Sequence, residues 1–202
     1  MDRAQVAQSR KAEVARRQLG TALHLFLADL DPVSVHVLAC GGCEVASALA
    51  AKIGTPFSDF TQETFPEYSA RDLATMRNQF WNAMKHANHR DGQERDDEDL
   101  LATPLEKENE ARLFAGWFDL GQVGIPLPIE AQVFTLWALA KHGDHSELDD
   151  WADEEFPNLS NLGAEEQRTM LSEKIEWAKG HPDLAADPRT DLRPLILPAE
   201  PS

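Results

Sequence analysis

The sequence predicts an all-α protein, a helical bundle of about five to six helices followed by a proline-rich tail. Apolar residues recur at intervals of three and four in successive stretches, and Gly or Pro closes most of those stretches. No run alternates in the way a strand hairpin would. A length of 202 residues with 42% hydrophobic content is enough for one core.

The first helix is expected from Asp2 to about Asp29, with Leu19, Ala22, Leu23, Phe26 and Leu30 on one side. Its polar part, residues 1–18, reads as a charged helical extension that projects or frays. Pro32, with its fixed φ and missing N–H, ends this helix. A second helix is expected from Ser34 to about Ile53, turned inward through Val33, Val37, Val45 and Leu49. The run Ala39 to Cys43 is small enough for a neighbouring helix to approach closely, although each glycine weakens the helix by roughly 1 kcal/mol.

Residues 54–69 read as a loop whose Phe57, Phe60, Phe65 and Tyr68 plug the core. Ser69 then caps a third helix running to about Asn88, with Leu73, Met76, Phe80, Met84 and Ala87 inward. This is read as the central helix. Asp91 to Glu110 carries nine acids and two bases and reads as a solvated, mobile or disordered connection.

A fourth helix covers Glu106 to about Leu120, facing inward through Leu113, Phe114, Trp117 and Leu120. Pro128 suits the first turn of a fifth, which uses Ile129, Val133, Leu136, Trp137 and Ala140 and ends near His142 and Gly143. His142 and His145 there complement the helix dipole. The bundle domain is thus placed at 19–145. A helical appendage at 146–180 holds a turn over Leu148 to Glu155 and a helix from Ala164 to Lys179 with Met170, Leu171, Ile175 and Trp177. Five prolines lie in 181–202, which reads as an extended or disordered tail in which Leu195, Ile196 and Leu197 offer docking side chains.

The net charge of −16 argues against general DNA binding, because phosphate affinity comes from Lys and Arg. Within that acidity Arg71, Arg77, Lys85 and Arg90 face only Asp72 and Asp91, leaving a local basic patch. No apolar run is read as approaching the ~20 residues that span a bilayer, and Met1 to Gln18 lacks the apolar centre of a secretory signal. A cytoplasmic protein with no membrane partner and reduced cysteines is expected.

Chemistry is expected first between Asn78 and His89. At 100° per residue, Asn78, Asn82, Lys85, His86 and His89 fall within about a 100° arc opposite Phe80 and Met84. By geometry alone such an arc reads as a solvent face; against that, exposed helix faces ordinarily use Glu, Lys and Arg, so a stripe of Asn and His points to a ligand or a second subunit. Lys85 supplies a charged donor and His86 or His89 a proton-transfer group near neutral pH.

On the second helix His36, Cys40, Cys43, Glu44 and Ser47 form another polar line. A single Cys-x-x-Cys without a second pair does not make a zinc site, and small thiols filling a helix contact are expected instead. Neither metal nor cofactor is expected, since phosphate-binding glycine loops and dinucleotide fingerprints are missing too.

The strings RQLGTALHLFLADLDPVSVHVLACGGCEVASALA, NQFWNAMKHANHRD and NEARLFAGWFDLG resemble a family of small, uncharacterised bacterial helical proteins with an Asn-x-x-x-His motif, here Asn82 to His86. The Asp-Pro-Val turn at Asp31 to Val33 is shared. More remotely the arrangement resembles HEPN domains, helical bundles that dimerise and often act as metal-independent ribonucleases. The resemblance implies a HEPN-like core, His86 as motif histidine and Asn82 as its polar position, with Trp81 where that motif carries arginine.

Two functions are therefore expected from sequence. One is a homodimeric protein- or ligand-binding module using Asn78, Asn82 and His89. The alternative is an endoribonuclease of a toxin or defence system, with His86 as acid or base and Lys85 holding phosphate.

Overall fold

A computed structural model describes residues 3–54, 56–89, 91–142 and 147–198. It is all-α, with eleven α-helices among the described residues rather than five or six. The excess consists of five shorter helices of four to nine residues. The six helices of fourteen residues or more begin at Arg10, Pro32, Ala70, Glu106, Ile129 and Ala164, and they correspond to the six that the sequence marks.

The chain begins with α1 (Arg3–Ala7) and breaks at Ser9, which accepts from Ala12 N–H and caps α2 (Arg10–Leu27). The early residues do not project. Val6, Ala12, Ala15 and Arg16 are all buried, because small alanines let the helix lie close on its neighbours. Asp31 caps α3 (Pro32–Ala50) through Val33 and Ser34 N–H, with Pro32 in the first turn.

The buried side of α3 differs from the expected one. Val33 and Val37 are exposed, while Val35, His36, Ala39, Cys40, Gly42 and Cys43 are buried. Small residues decide this, since α2 and α7 (Glu106–Val123) close on α3 from two sides. Leu19 of α2 seats between the two: a Cβ added at Gly42 would lie 2.6 Å from Leu19 Cγ, and one at Gly116 2.6 Å from its Cδ2. The small run on the second helix thus does permit a close approach. The central helix is α3, not the one expected after Ser69.

By length and composition α3 is also apolar enough to cross a membrane, contrary to the sequence expectation. Half of that window is buried between its neighbours, so its apolarity also serves a core.

The aromatic loop contains α4 (Phe57–Thr64), no residue of which is buried. Its rings do not plug the core; Phe57 and Phe60 meet Phe118 edge-on, while Phe65 and Tyr68 stay 46% and 44% exposed. Ser69 caps α5 (Ala70–Lys85) as expected, but only Phe80 of this helix is buried and Met76 is 43% exposed. The acidic stretch after it is ordered by an Asn88–Glu94 antiparallel bridge, a two-pronged Arg95–Asp97 ion pair and α6 (Glu98–Leu101). Arg90 lies outside the described residues.

After α7, Gly124 takes a left-handed conformation at φ 82° and turns the chain into β1 (Leu127–Pro128). Then come α8 (Ile129–His142), α9 (Glu147–Glu155) and α10 (Ala164–Lys179). His145 lies outside the described residues. Trp137 on α8 donates its indole N–H to Gln167 O on α10, and Leu171, Ile175 and Ala178 join the same core, so 164–179 is integral to the bundle. Trp177 points away from it, 54% exposed.

The tail is anchored. After α11 (Pro182–Ala186), β2 (Thr190–Asp191) pairs in parallel with β1, Leu127 beside Thr190. Arg16 is 1% exposed and clasps the end of the chain: its Nε donates to Asp191 Oδ2 at 2.9 Å, and its terminal nitrogens donate to the carbonyls of Arg193, Pro194 and Leu195. Leu195 is buried as a result, while Ile196 remains 47% exposed.

Candidate functional site

The polar line on α3 finds its partners on α7, three turns of helix that face it. Asn109, Arg112 and Asp119 are all buried on α7 beside the apolar stripe of Leu113, Trp117 and Leu120. Three pairs lie along the interface: His36 with Asn109, Cys43 with Arg112, and Ser47 with Asp119.

At the first pair, Asn109 Nδ2 donates to Pro32 O at 3.0 Å, so its Oδ1 accepts from His36 Nδ1 at 2.9 Å. His36 Nε2 is then the acceptor for the Cys40 thiol, 3.3 Å away. Burial holds the imidazole below its ordinary value, aided by Arg112, despite the opposing Asn109 bond. Burial likewise pushes Cys40 up to about 12 and raises Cys43, outweighing the nearby Arg112 charge. Both thiols are therefore neutral, and neither is a ready nucleophile or metal ligand. Among the described residues no three His, Cys, Asp or Glu side chains gather as a metal site would.

Arg112 is the unusual member. It is 5% exposed, yet its one side-chain oxygen partner is the neutral Asn78 Oδ1, at 3.1 Å from Nη2, with the Cys43 sulfur as a further contact. Among the described residues no carboxylate lies within ion-pair distance of it. Arg16, equally buried, has a carboxylate and three carbonyls. A guanidinium offers five N–H donors, and none of those of Arg112 is both fully buried and unpartnered, so the ones not given to Asn78 or Cys43 reach accessible space.

Arg112 opens onto a cavity of about 330 Å³ between α3, α5 and α7, walled also by Ser47, Arg77, Asn78, Trp81 and Asp119. The Trp81 indole N–H is buried with no acceptor among the described residues. Asp119 closes the far side, accepting Phe57 N–H at 2.7 Å and so tying α4 to α7. Burial pushes its carboxyl up to about 6, against the Phe57 bond and the Arg77 charge that favour ionisation. One unpartnered donor, the Trp81 indole, and two cations, Arg77 and Arg112, thus face a common space that also holds two acids, Asp119 and the exposed Glu44.

The residues singled out from sequence are distributed differently from the expected arc. The helix stops at Lys85, and His86 is extended at φ −130°, so His86 and His89 do not continue its face. His89 N–H instead donates to Gln93 O at 2.7 Å in the bend before α6. Lys85, His86 and His89 are exposed, with the Lys85 ammonium 4.8 Å over the Trp81 ring. Asn78 and Asn82 are half-buried, and Asn78 alone of the five reaches the cavity, through Arg112.

His142 and Lys141 at the end of α8 both bond buried Glu110, at 2.7 and 2.8 Å. Burial would raise that carboxyl, but the two bonds bring it below the usual range. This is a satisfied cluster.

Arg112 and Asp119 were not legible as site residues, although their spacing from Asn109 of three and ten places all three near one helical line. A polar line beside the stripe Leu113, Trp117 and Leu120 was the available signal. Compared with protein-family models, with curated proteins and with solved structures, the chain gives no match.

Proposed function

We propose that this protein is a ligand-binding module whose cavity between α3, α5 and α7 takes a small anion against Arg112. The observation that carries this is the buried guanidinium with a single neutral oxygen partner, set beside Arg16, where the same protein supplies four acceptors to the same group. The Trp81 indole N–H and the Asn78 amide supply neutral recognition, and the planar fork of arginine suits a carboxylate better than a point charge would. Protonated Cys40 and Cys43 and neutral His36 support binding rather than nucleophilic chemistry at this place.

Thermal melting in the presence of carboxylate, sulfate and phosphate salts tests the reading. A ligand that binds only the folded state stabilises it with the logarithm of its excess over Kd and so raises the melting temperature. Stabilisation by one anion class, lost in Arg112→Gln, is the expected result; equal response of both proteins to every salt would overturn it.

The HEPN-like ribonuclease reading through His86 and Lys85 rests on the sequence resemblance. It is tested by incubating labelled RNA with the protein and with His86→Ala: equal cleavage by both, or none by either, removes it.

A further inference from the structure

We infer that the bound anion is a single-chain organic acid with an apolar tail, its acid group against Arg112 and its tail beneath α4 and α5. This rests on the anion-binding reading and adds the chemical class of the ligand. Two cavities share Arg112 as a wall. The polar one, of about 330 Å³, holds Trp81 and Asp119 in its wall; the second, of about 470 Å³, lies between α4, α5 and α7. They share Phe57, Ser58, Arg77, Arg112 and Ala115 as walls. Beyond Arg112 the second cavity is lined mainly by Phe65, Leu73, Ala74, Met76 and Ala111, with Thr61, Gln62 and Gln79 interspersed.

Protein interiors leave few voids larger than a water molecule, whereas small-molecule sites occupy ~300–1,000 Å³ and combine apolar walls with a few fixed polar groups. The space beneath α4 and α5 fits the second description. Neither helix completes its own burial: α4 buries nothing, and α5 buries only Phe80, which packs edge-on to His36 at 6.0 Å. Their apolar sides have Phe114, Phe118 and α7 as a partial floor and an open volume over the rest. A tail occupying that volume gives Leu73, Met76 and Phe65 the contacts that the chain itself does not supply.

The polar end sets the charge of the head. Glu44 and Asp119 line the polar cavity, and Asp59 and Glu108 line the apolar one, with Arg77 and Arg112 common to both. Four acids around two arginines repel a doubly charged head more than a singly charged one held on Arg112, which favours a monoanion over phosphate. A diacyl lipid exceeds a site of this size, so a free acid is the source rather than a membrane surface.

Isothermal titration of the full chain with decanoate, acetate, decanol and inorganic phosphate reads each part separately. Decanoate is expected to bind about thirtyfold or more tighter than acetate, in keeping with the gain per buried methylene. Decanol and phosphate are expected to bind weakly. Arg112→Gln is expected to lower decanoate affinity by about thirtyfold or more. Ala74→Phe, which fills the apolar cavity, is expected to weaken decanoate and leave acetate unchanged, with Leu73→Asn as the alternative should Ala74→Phe fail to fold.

Equal binding of decanoate and acetate overturns the tail assignment while leaving the anion site standing. Equal binding of decanol and decanoate overturns the acid head, and failure of every acid overturns both readings. Displacement of decanoate by phosphatidylglycerol vesicles would overturn the free-acid assignment in favour of a lipid surface.

Discussion

Replacing Arg112 with methionine is expected to make the ligand-free protein more stable, although it removes a buried side chain's one bond to oxygen. The guanidinium is 5% exposed and donates to Asn78 at 3.1 Å. A hydrogen bond from a charged donor contributes about 1.5–3 kcal/mol. Burying the ion costs several kcal/mol, and exchanging buried charge for apolar groups of similar volume is often stabilising by about 1–4 kcal/mol.

A net gain of about 1–2 kcal/mol results, or a rise in Tm of roughly 2–8 °C for a chain of this size. Arg16→Met supplies the control, because that guanidinium is 1% exposed but bonds Asp191 and the carbonyls of Arg193, Pro194 and Leu195. Its loss is expected to cost about 3–5 kcal/mol and to lower Tm by roughly 6–20 °C. Calorimetry on both variants without ligand decides the matter. A fall in Tm for Arg112→Met comparable to that for Arg16→Met would show Arg112 to be a structural ion, and its burial would no longer point to a ligand.

Other expectations come from the same geometry. Asp119, pushed up to about 6, is protonated in the folded protein before it would be in the unfolded chain, so its stability contribution is lost as pH rises through about 6; Asp119→Asn should be more stable by about 3 kcal/mol at about pH 7.5, with the difference vanishing below about pH 4, as chemical denaturation at the two values would show. Gly116→Ala places a Cβ 2.6 Å from Leu19 Cδ2 and 3.4 Å from Cys43 Cα, and should cost about 1–3 kcal/mol in urea titration; an unchanged midpoint would mean that α2 yields easily. Asp191 is depressed despite burial, because Arg193 and Arg16 bond it, so its contribution is present above an ordinary aspartate pKa and is lost as pH falls through its lower folded value. Proteolysis within 187–198 should accordingly accelerate in acid, and an acid-independent rate would contradict the clasp.

The sequence by itself determined the six long helices and many of their ends, but not the shorter helices at Phe57–Thr64 and Glu98–Leu101. Ser69 caps α5, Pro32 and Asp31 begin α3, and the periodic stretch from Ala164 to Lys179 is α10, because caps, proline and apolar period act within a turn or two of chain. It also marked the small run around Gly42, whose use as a contact with Leu19 is seen in the fold.

Which side of each helix faces inward was decided by tertiary structure. On α3 the valines read as core are exposed at positions 33 and 37, and the line from His36 to Ser47 is turned toward α7, because close contact rewards small side chains more than bulky ones. The arc from Asn78 to His89 is interrupted for a local reason, the extended conformation of His86 after α5 ends at Lys85. Arg112 and Asn78 are 34 positions apart, and only the packing of α5 against α7 brings them together. No periodicity within either helix encodes that meeting, and it is there that the charge without an anionic partner among the described residues lies.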